Sequence, residues 1–223
     1  MTEHYSIAID GPAASGKSTA AKAVSKALGF LYVDTGAMYR AFTLYMIENG
    51  LDTKSEEDAK KLLPSVEIRE DREGHVYLNG RDVTARVREE DVTKLVSYAC
   101  AHKAVREKMV EIQQKMAENE SVVMDGRDIG TVVLPRATLK VYQVASVESR
   151  AERRYKEDIA HHRDVSLEEI KKDIQRRDYI DSHRENSPLH PAEDSIPLDT
   201  SDLTIEEEVE AILIMFNKKV GVK

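Results

Sequence analysis

The chain has 223 residues and a formal net charge of −8, and its only cysteine is Cys100. This length is enough to bury a substantial core and predicts one domain with an insertion, or two small domains. The acidic balance disfavours a broad basic surface for nucleic acid, although local arginine clusters can still bind small anions. A single cysteine excludes an internal disulfide and a multi-cysteine zinc site, and it is typical of a reducing compartment.

The N-terminal residues, MTEHYSIAID, contain neither a basic segment nor a long apolar one. No run in the chain approaches the ~20 apolar residues that a membrane-spanning helix needs. We therefore expect a cytoplasmic, monomeric protein that has no membrane or nucleic-acid partner.

The first predicted elements alternate between strand and helix. Residues 6–9, SIAI, form a short apolar strand, and the helical pattern after them ends at Gly29. A second strand is predicted at 30–33, FLYV, and a second helix at 37–49 ends before Gly50. This order of elements is typical of the start of an α/β fold.

Residues 64–84 differ in character from the segments around them. They contain the short alternating stretches VEIRE, HVYL and RDVT, the last two of which flank Asn79 and Gly80, a strong signal for a tight hairpin. We therefore predict a small antiparallel insertion at 64–84. Two long helical patterns follow between residues 89 and 118.

The second half of the chain returns to the alternation of strand and helix. Strands are predicted at 122–124, VVM, and at 139–144, LKVYQV, followed by two helices within 146–183. Residues 195–198, SIPL, are a weaker strand candidate because their proline cannot donate to a ladder, and the last helix begins at Thr204. Strands interleaved with helices predict a parallel α/β sheet.

The stretch GPAASGKS, residues 11–18, carries the most specific motif. It matches G-x-x-x-x-G-K-[ST] between a predicted strand and a predicted helix, the context that this motif requires. Backbone N–H groups of such a loop converge on phosphate oxygens, while the lysine adds a cation at the β- and γ-phosphates and the serine hydroxyl reaches Mg²⁺. The predicted triphosphate site consists of Gly11, Pro12, Ala13, Ala14, Ser15, Gly16, Lys17, Ser18 and Thr19.

Two further segments place charged residues after predicted strands. VVMDGRDIG ends a strand at Asp125, which we expect near the metal, directly or through water, and then adds Arg127 and Asp128. DTGAMYR places Thr35 after the second strand and Arg40 one turn into the next helix. Because ligands bind at this edge of an α/β sheet, we predict an anionic acceptor here. Turn capping by the two aspartates and a surface ion pair for Arg40 are the purely structural alternatives.

Two helical patterns late in the chain are rich in charged residues that share a face. The first group is Arg150, Arg153 and Arg154, and the second is Arg177, Asp181 and Arg184. Such faces are usually only solvated, but beside a phosphate loop they predict a helical hairpin that closes over the phosphoryl group and excludes water. His161 and His162 lie in the same hairpin and are predicted to be ordinary surface residues.

Together these segments resemble one family closely. GPAASGKS, DTGAMYR, DGRDIG, RRDYIDSHR and the insertion at 64–84 look like the bacterial cytidylate kinases, which are nucleoside monophosphate kinases, and the resemblance covers nearly the whole chain. It implies transfer of the γ-phosphoryl group of ATP to CMP or dCMP in pyrimidine metabolism, with Mg²⁺ bound alongside the ATP. It also implies a five-stranded parallel sheet flanked by helices, a small antiparallel β insertion and a short helical lid.

The resemblance also assigns regions and residues. It implies a core at 1–35, 119–146 and 194–223, a monophosphate-binding region at 36–118, and a lid with closing helices at 147–193. The positions that match the family's acceptor-phosphate site are Arg40, Arg127 and Arg184. Those that match its base and sugar sites are Thr35, Arg106 and Asp128, and Ser97, Arg177 and Asp181. The catalytic cations that it implies are Lys17, Arg150, Arg153 and Arg154, and which arginine contacts the transferred group stays open.

Other functions fit parts of the sequence. A regulatory GTPase would need an N-K-x-D guanine motif, but the only Asn-Lys pair, at 217–218, is followed by Lys219 and Val220, which counts against this class. A P-loop kinase for another acceptor, such as UMP, AMP or a small metabolite, stays open. A nucleic-acid-binding protein is disfavoured by the acidity and by the lack of an aromatic and basic stripe.

Overall fold

The computed structural model describes residues 4–160 and 165–221. Its strands are β1 (Ser6–Asp10), β2 (Leu31–Asp34), β3 (Ile68–Glu70), β4 (Val76–Leu78), β5 (Arg81–Asp82), β6 (Val122–Gly126), β7 (Leu139–Val144) and β8 (Ile196–Asp199). Its helices are α1 (Lys17–Leu28), α2 (Thr35–Glu48), α3 (Glu56–Leu62), α4 (Glu90–Ala99), α5 (Lys103–Ala117), α6 (Val147–Ala160), α7 (Leu167–His183) and α8 (Ile205–Val220). His161 and His162 lie outside the described residues.

Five strands form one parallel sheet in the order β2-β6-β1-β7-β8. Alternate side chains of β1 enter different cores: Ile7 and Ile9 join the cluster with α1 and α8, and Ala8 joins the cluster with α2. Both faces of the sheet are therefore covered, which explains the apolar runs of its central strands. The weak strand candidate is the edge strand β8, where Pro197 is tolerated. The predicted five-stranded α/β fold is confirmed.

The predicted insertion is a separate antiparallel sheet of β3, β4 and β5. Asn79 and Gly80 connect β4 to β5 with φ values of 48° and 79°. Two consecutive left-handed residues match the twist of a two-residue hairpin, and this explains the Asn-Gly pair. The sheet packs against α2, so the insertion lies beside the carboxyl end of β2.

Helices α6 and α7 pack against each other through Ala151, Ile170 and Ile174. A capping box at Ser166 begins α7, because the serine side chain accepts the N–H of Glu169 and the glutamate side chain accepts the N–H of Ser166. The same device begins α8. The predicted helical hairpin is thus present in the described residues on either side of 161–164.

Three features differ from the sequence-based expectation. Helix α2 begins at Thr35, two residues early, because the Asp34 side chain accepts the N–H of Ala37 and caps it. Helix α3 was not predicted, and neither was the π-helical turn Ile129–Val133 after β6. In the described part of the chain, the helices are too short or too polar to cross a membrane.

Candidate active site

The phosphate loop, residues 11–16, joins β1 to the N-terminus of α1. Gly11 lies so close to β7 that a Cβ there would stand 2.0 Å from the carbonyl oxygen of Gln143. Gly16, the N-cap of α1, has a φ of 93°, a left-handed conformation that favours glycine. The loop residues therefore lie at a helix N-terminus, where unpaired N–H groups and the helix dipole favour an anion.

Lys17 lies along this loop and is only 4% exposed. Its Nζ donates to the carbonyl oxygen of Pro12 at 2.6 Å and to Ser15 Oγ at 3.1 Å. Burial and the positive charge of Arg127 lower the pKa of Lys17 to about 7, against the opposing charge of Asp125. An anion bound at the loop would supply a counter-charge that stabilises the charged form of this buried amine.

Asp125 lies one residue before the end of the neighbouring strand β6 and contacts the first turn of α1. Ser18 Oγ and the Tyr32 hydroxyl each donate to its carboxylate at 2.8 Å. Burial and the charge of Asp34 raise the pKa of Asp125. Among the residues that the structure describes, His, Cys, Asp and Glu side chains nowhere gather in threes as a metal cage. A serine hydroxyl beside one carboxylate does fit Mg²⁺, which typically takes few protein ligands and completes its shell with phosphate and water.

Asp10 links β1 to the segment after β6. Its carboxylate accepts the N–H groups of Ile129 and Gly130 at 2.8 and 2.7 Å. Burial raises the pKa of Asp10 to about 6, against these two hydrogen bonds. One carboxylate at the end of β1, directly before the phosphate loop, therefore holds the π-helical turn in place.

At the end of β2, Asp34 connects helix α2 to the insertion. Its carboxylate caps α2 and contacts Arg40 Nη2 at 3.2 Å and Arg88 Nη2 at 3.3 Å. The backbone N–H of Asp34 donates to Glu70 of β3 at 2.9 Å. Burial and the charge of Asp34 raise the pKa of Glu70 well above its usual range. The side chains of Arg40 and Asp34 are 16% and 8% exposed, so this ion pair is not a surface pair.

Arg106 of α5 and Asp128 form an ion pair in which each residue is 3% exposed. Arg106 Nη1 also donates to the carbonyl oxygen of Cys100 at 3.2 Å, and its guanidinium lies 5.1 Å from the centroid of the Tyr39 ring. The Asp128 side chain makes no capping bond to the π-helical turn that follows it. Turn capping therefore does not explain this aspartate.

Three arginines, Arg127, Arg177 and Arg184, gather around Asp181, and Arg40 lies near Arg177. Arg127 Nε donates to Asp181 at 2.7 Å, and Arg184 Nη1 lies 4.0 Å from the other oxygen of Asp181. Burial and the charge of Arg127 lower the pKa of Arg177. Nε of Arg40, Nε of Arg177 and Nη2 of Arg184 are buried and have no hydrogen-bond partner among the described residues. These donors suit an anion with several oxygen atoms.

Two other predicted acceptor residues, Thr35 and Ser97, each make a hydrogen bond that involves a backbone carbonyl group. Thr35 Oγ1 donates to the carbonyl oxygen of Asp125 at 2.6 Å. Ser97 is buried in α4, and its carbonyl oxygen accepts from the thiol of Cys100, which lies 3.8 Å from Arg184 Nη1. Burial raises the pKa of the Cys100 thiol, and the residue is buried as a small apolar one would be.

Two of the predicted lid arginines contact the phosphate loop. Arg150 Nη1 donates to the carbonyl oxygen of Ala13 at 3.0 Å and pairs with Asp178 of α7 at 2.7 Å. Arg153 Nη1 donates to the carbonyl oxygen of Ser15 at 3.2 Å. Both guanidinium groups therefore contact carbonyl oxygens of the loop.

Arg154 has different partners. Its Nε donates to Asp158 at 3.2 Å and its Nη1 lies 3.6 Å from Glu157, both on its own helix. The structure does not bring it to the phosphate loop with the other two arginines.

The site includes residues that the sequence patterns did not indicate. They are Asp10, Tyr32, Gln143, Asp178 and Glu208. A polar residue in the apolar strand LKVYQV could have drawn attention to Gln143, and Asp10 directly precedes the glycine-bounded motif. Glu208 gives no such signal, because its role depends on the placement of α8.

Comparisons with known proteins identify the family of this chain. The family model for cytidylate kinase matches residues 7–218. A cytidylate kinase of Geobacillus sp. (strain WCH70) is 49% identical over 99% of this chain and 100% of its own length. A cytidylate kinase of Oceanobacillus iheyensis is also 49% identical, over 96% of this chain and 94% of its own.

Solved structures of other kinases share the fold. A gluconokinase from Sinorhizobium meliloti 1021 is 15% identical with a TM-score of 0.50, covering 96% of this chain and 92% of that one. A shikimate kinase from Bacteroides thetaiotaomicron is 14% identical with a TM-score of 0.50, covering 96% and 98%. At these identities the likeness concerns the P-loop kinase fold alone. The family match and the full-length relatives establish more: the chain belongs to the cytidylate kinase family, a family of nucleoside monophosphate kinases.

Proposed function

We propose that the protein transfers the γ-phosphoryl group of ATP to CMP or dCMP, forming ADP and CDP or dCDP. The observation that carries this proposal is the pair of consecutive residues Arg127 and Asp128. Arg127 belongs to the arginine cluster, and Asp128 pairs with the buried Arg106. A guanidinium cluster suits a phosphate and the neighbouring pair suits a polar base, so both ends of one acceptor nucleotide find matching groups.

Cytosine fits the Asp128–Arg106 pair better than uracil does. Cytosine presents an N4 amino donor beside the N3 and O2 acceptors, whereas uracil presents an O4 acceptor and an N3–H donor. With Asp128 accepting from N4 and Arg106 donating toward N3 or O2, both buried charges find partners. Uracil in the same position would place its O4 acceptor against the Asp128 carboxylate and its N3–H donor against the Arg106 guanidinium. A mismatch of this kind, which leaves buried charged groups without hydrogen bonds, gives strong discrimination.

The remaining acceptor groups follow from the same arrangement. Arg40, Arg127 and Arg184 bind the monophosphate, and Arg177 and Asp181 lie toward the sugar together with Ser97. Arg40 and Arg184 each have a buried guanidinium nitrogen without a partner in the described part of the chain, which supports the first assignment. Thr35 helps to place the base.

The donor end is the phosphate loop together with the first residues of α1, Gly11 to Thr19, with Lys17 at the β- and γ-phosphates. An oxygen of the acceptor phosphate attacks the γ-phosphorus in line, the bond to the bridging oxygen breaks, and its electron pair stays on ADP. The acceptor phosphate is mostly ionised near neutral pH because its second pKa is about 6, so no protein base is required. The chain contributes positioning and positive charge.

Mg²⁺ would be held by Ser18, with Asp125 directly or through water. When bound, it neutralises charge on the β- and γ-phosphate oxygens. Ser18 Oγ donates to Asp125 at 2.8 Å, and this hydrogen bond holds both side chains next to the phosphate loop.

The assigned regions complete the proposal. Residues 36–118 form the acceptor region, and 147–193 form a lid whose arginines exclude water. The chain acts as a monomer in the cytoplasm, and its single cysteine is typical of such a reducing compartment.

An acceptor panel tests the proposal. ADP release is measured with ATP, Mg²⁺ and one of CMP, dCMP, UMP, AMP or GMP. We expect CMP and dCMP to have the highest kcat/KM. A best acceptor outside that pair would contradict the proposal.

A further inference from the structure

One carbonyl group of the phosphate loop is surrounded by donors from three separate elements. The carbonyl oxygen of Ser15 accepts from Gln143 Nε2 of β7 at 2.5 Å, from Arg153 Nη1 of α6 at 3.2 Å and from Thr200 Oγ1 at 3.3 Å. Gln143 and Thr200 are inaccessible to solvent. This is an unusual concentration of donors on a single loop carbonyl, since a carbonyl oxygen has two lone pairs.

Glu208 of α8 completes the group. Its carboxylate accepts from Gln143 Nε2 at 3.3 Å and lies 3.6 Å from Arg153 Nη2. Arg153 also donates to the carbonyl oxygens of Thr200 and Leu203. We call the set Gln143, Arg153, Thr200 and Glu208 the carbonyl clamp.

The clamp packs directly against Gly16. A Cβ at Gly16 would stand 3.3 Å from Gln143 Nε2, 3.4 Å from Glu208 Oε2 and 3.5 Å from Arg153 Nη1. Glycine at this position is thus needed for its left-handed φ and also because the clamp fills the space that a side chain would use.

The clamp fixes the direction in which the Gly16 N–H points, and this direction matters for phosphate binding. The carbonyl of Ser15 and the N–H of Gly16 belong to one planar trans peptide, so they point in opposite directions. Donors that hold the carbonyl oxygen on the sheet side therefore hold the Gly16 N–H on the other side, where the phosphates of a nucleotide bind in such loops.

We propose that Gln143 and Glu208 are positioning residues for ATP, and that Arg153 acts with them through the Ser15 carbonyl and not on the transferred phosphoryl group. This inference rests on the proposed function, because it takes the loop as the ATP site. Gln143 supplies the shortest hydrogen bond to the carbonyl oxygen. Glu208 holds Gln143 and Arg153 in place by accepting from the first and pairing with the second.

The chain offers a matched control for a test at Gln143. Gln113 of α5 is also buried, at 1% exposure, and its side chain has no hydrogen-bond partner among the described residues. Helix α5 packs against α2, α3 and the π-helical turn. Gln143→Met and Gln113→Met therefore make the same chemical change at two buried glutamines, only one of which contacts the phosphate loop.

The experiment measures kcat, the KM for ATP, the KM for CMP and the melting temperature of both variants, and the calorimetric Kd for ADP. For Gln143→Met we expect the KM for ATP and the Kd for ADP to rise about tenfold, as for one lost hydrogen bond, while the KM for CMP changes by less than about twofold. Gln113→Met should change neither nucleotide constant. Equal nucleotide constants in the two variants, or equal losses of ATP and CMP affinity in Gln143→Met, would overturn the inference.

A second variant covers the case in which Gln143→Met does not fold. Glu208→Gln keeps the side-chain shape but removes the charge opposite Arg153, and we expect the KM for ATP to rise about threefold or more with the KM for CMP unchanged. An unchanged KM for ATP in this variant would also overturn the inference. If wild-type protein binds ADP but does not phosphorylate CMP, the proposed function fails while the calorimetric test of the clamp still stands.

Discussion

Asp128 and Arg106 have opposite charges that are both buried, so removing one of them would leave the other without a counter-charge at a cost of about 3–5 kcal/mol. An alanine variant of Asp128 would therefore mix stability with specificity. Asparagine keeps the shape and a hydrogen-bonding oxygen, and its amide can also turn to donate. Asp128→Asn removes the same counter-charge, but it keeps an oxygen that can accept from Arg106 and so disturbs the fold less than alanine, which makes it the better test of base recognition.

We predict that Asp128→Asn lowers the ratio of kcat/KM for CMP to that for UMP by at least about tenfold. The amide can donate to O4 of uracil, whereas the carboxylate repels it. Steady-state kinetics with both substrates on wild type and variant provide the measurement. An unchanged ratio would mean that Asp128 supports the phosphate site or the fold and does not read the base.

Replacing Lys17 should affect activity much more than stability, unlike the replacement of Asp128. Burial lowers its pKa to about 7, so the folded protein holds the ammonium at a cost. We predict that Lys17→Met lowers kcat by roughly 10²-fold or more while the melting temperature stays equal or rises. Normal melting together with near-normal turnover would refute a role at the phosphates.

Glu208 gives a prediction about pH. Burial raises its pKa from 4.5 to about 7, although Arg153 and Gln143 oppose the shift. Between these pH values the folded protein holds a proton that the unfolded chain has released, so this group's contribution to stability falls as pH rises from about 4.5 to 7 and is constant above that. Glutamine does not titrate. The stability of Glu208→Gln relative to wild type should therefore increase between about pH 5 and pH 8, by at most about 3 kcal/mol.

Chemical denaturation of both proteins at the two pH values measures this difference. Glu206→Gln, at an exposed position on the same helix, is the control for the loss of a carboxylate from α8. A relative stability of Glu208→Gln that does not change with pH would contradict the account of this carboxylate.

At the scale of elements, helix α6 carries three arginines with different partners. Arg150 and Arg153 contact loop carbonyls, while Arg154 pairs with Glu157 and Asp158 of its own helix. Asp158 is buried, but the pair with Glu157 is a surface pair, and surface pairs are weak. Since Arg154 contacts none of the loop carbonyls that hold the other two arginines, we propose it as the arginine that the transferred phosphoryl group recruits.

We predict that Arg154→Gln lowers kcat by more than about tenfold and leaves the KM for CMP within about twofold, as expected for a contact made in the transition state. Lys156→Gln, an exposed cation on the same helix, is the control. A kcat equal to that of the control would return Arg154 to an ordinary solvated helix face.

The sequence predicted most elements because their signals are local. The hairpin turn at Asn79 and Gly80 and the capping box at Ser166 each depend on residues within one turn of chain. Helix α3 is only seven residues long, and its N-cap, Ser55, lies among acidic residues that are also typical of a loop. The π-helical turn Ile129–Val133 depends on Asp10, which is 119 residues from Ile129, so no local pattern could indicate it.

The site residues also divide into those that local sequence patterns predict and those that depend on packing between distant segments. Motif residues such as Lys17 and Ser18 are found from spacing, because loop and helix follow each other in the chain. The carbonyl clamp was not found, because Gln143 and Glu208 meet Ser15 only after β7 and α8 have packed against the phosphate loop. Separate roles for Arg153 and Arg154 likewise emerge only from their partners in space.

At the scale of the whole molecule, the parallel sheet brings distant segments to one edge. β1 ends at the phosphate loop, β6 ends one residue after Asp125, and β2 ends at Asp34, which connects α2 to the insertion. The groups that we assign to the donor, the metal and the acceptor therefore meet although they are far apart in sequence, as is general for open α/β sheets. The arrangement favours one ligand set, a triphosphate and a small anionic nucleotide.

The central claim is that this acceptor site selects cytosine, and a competition experiment tests it most directly. CMP and UMP are supplied at equal concentrations in one reaction with ATP and Mg²⁺, and the early ratio of CDP to UDP, which equals the ratio of the two kcat/KM values, is measured by chromatography. We predict a ratio of at least about 10² in favour of CDP. A ratio near one, or an excess of UDP, would contradict the claim.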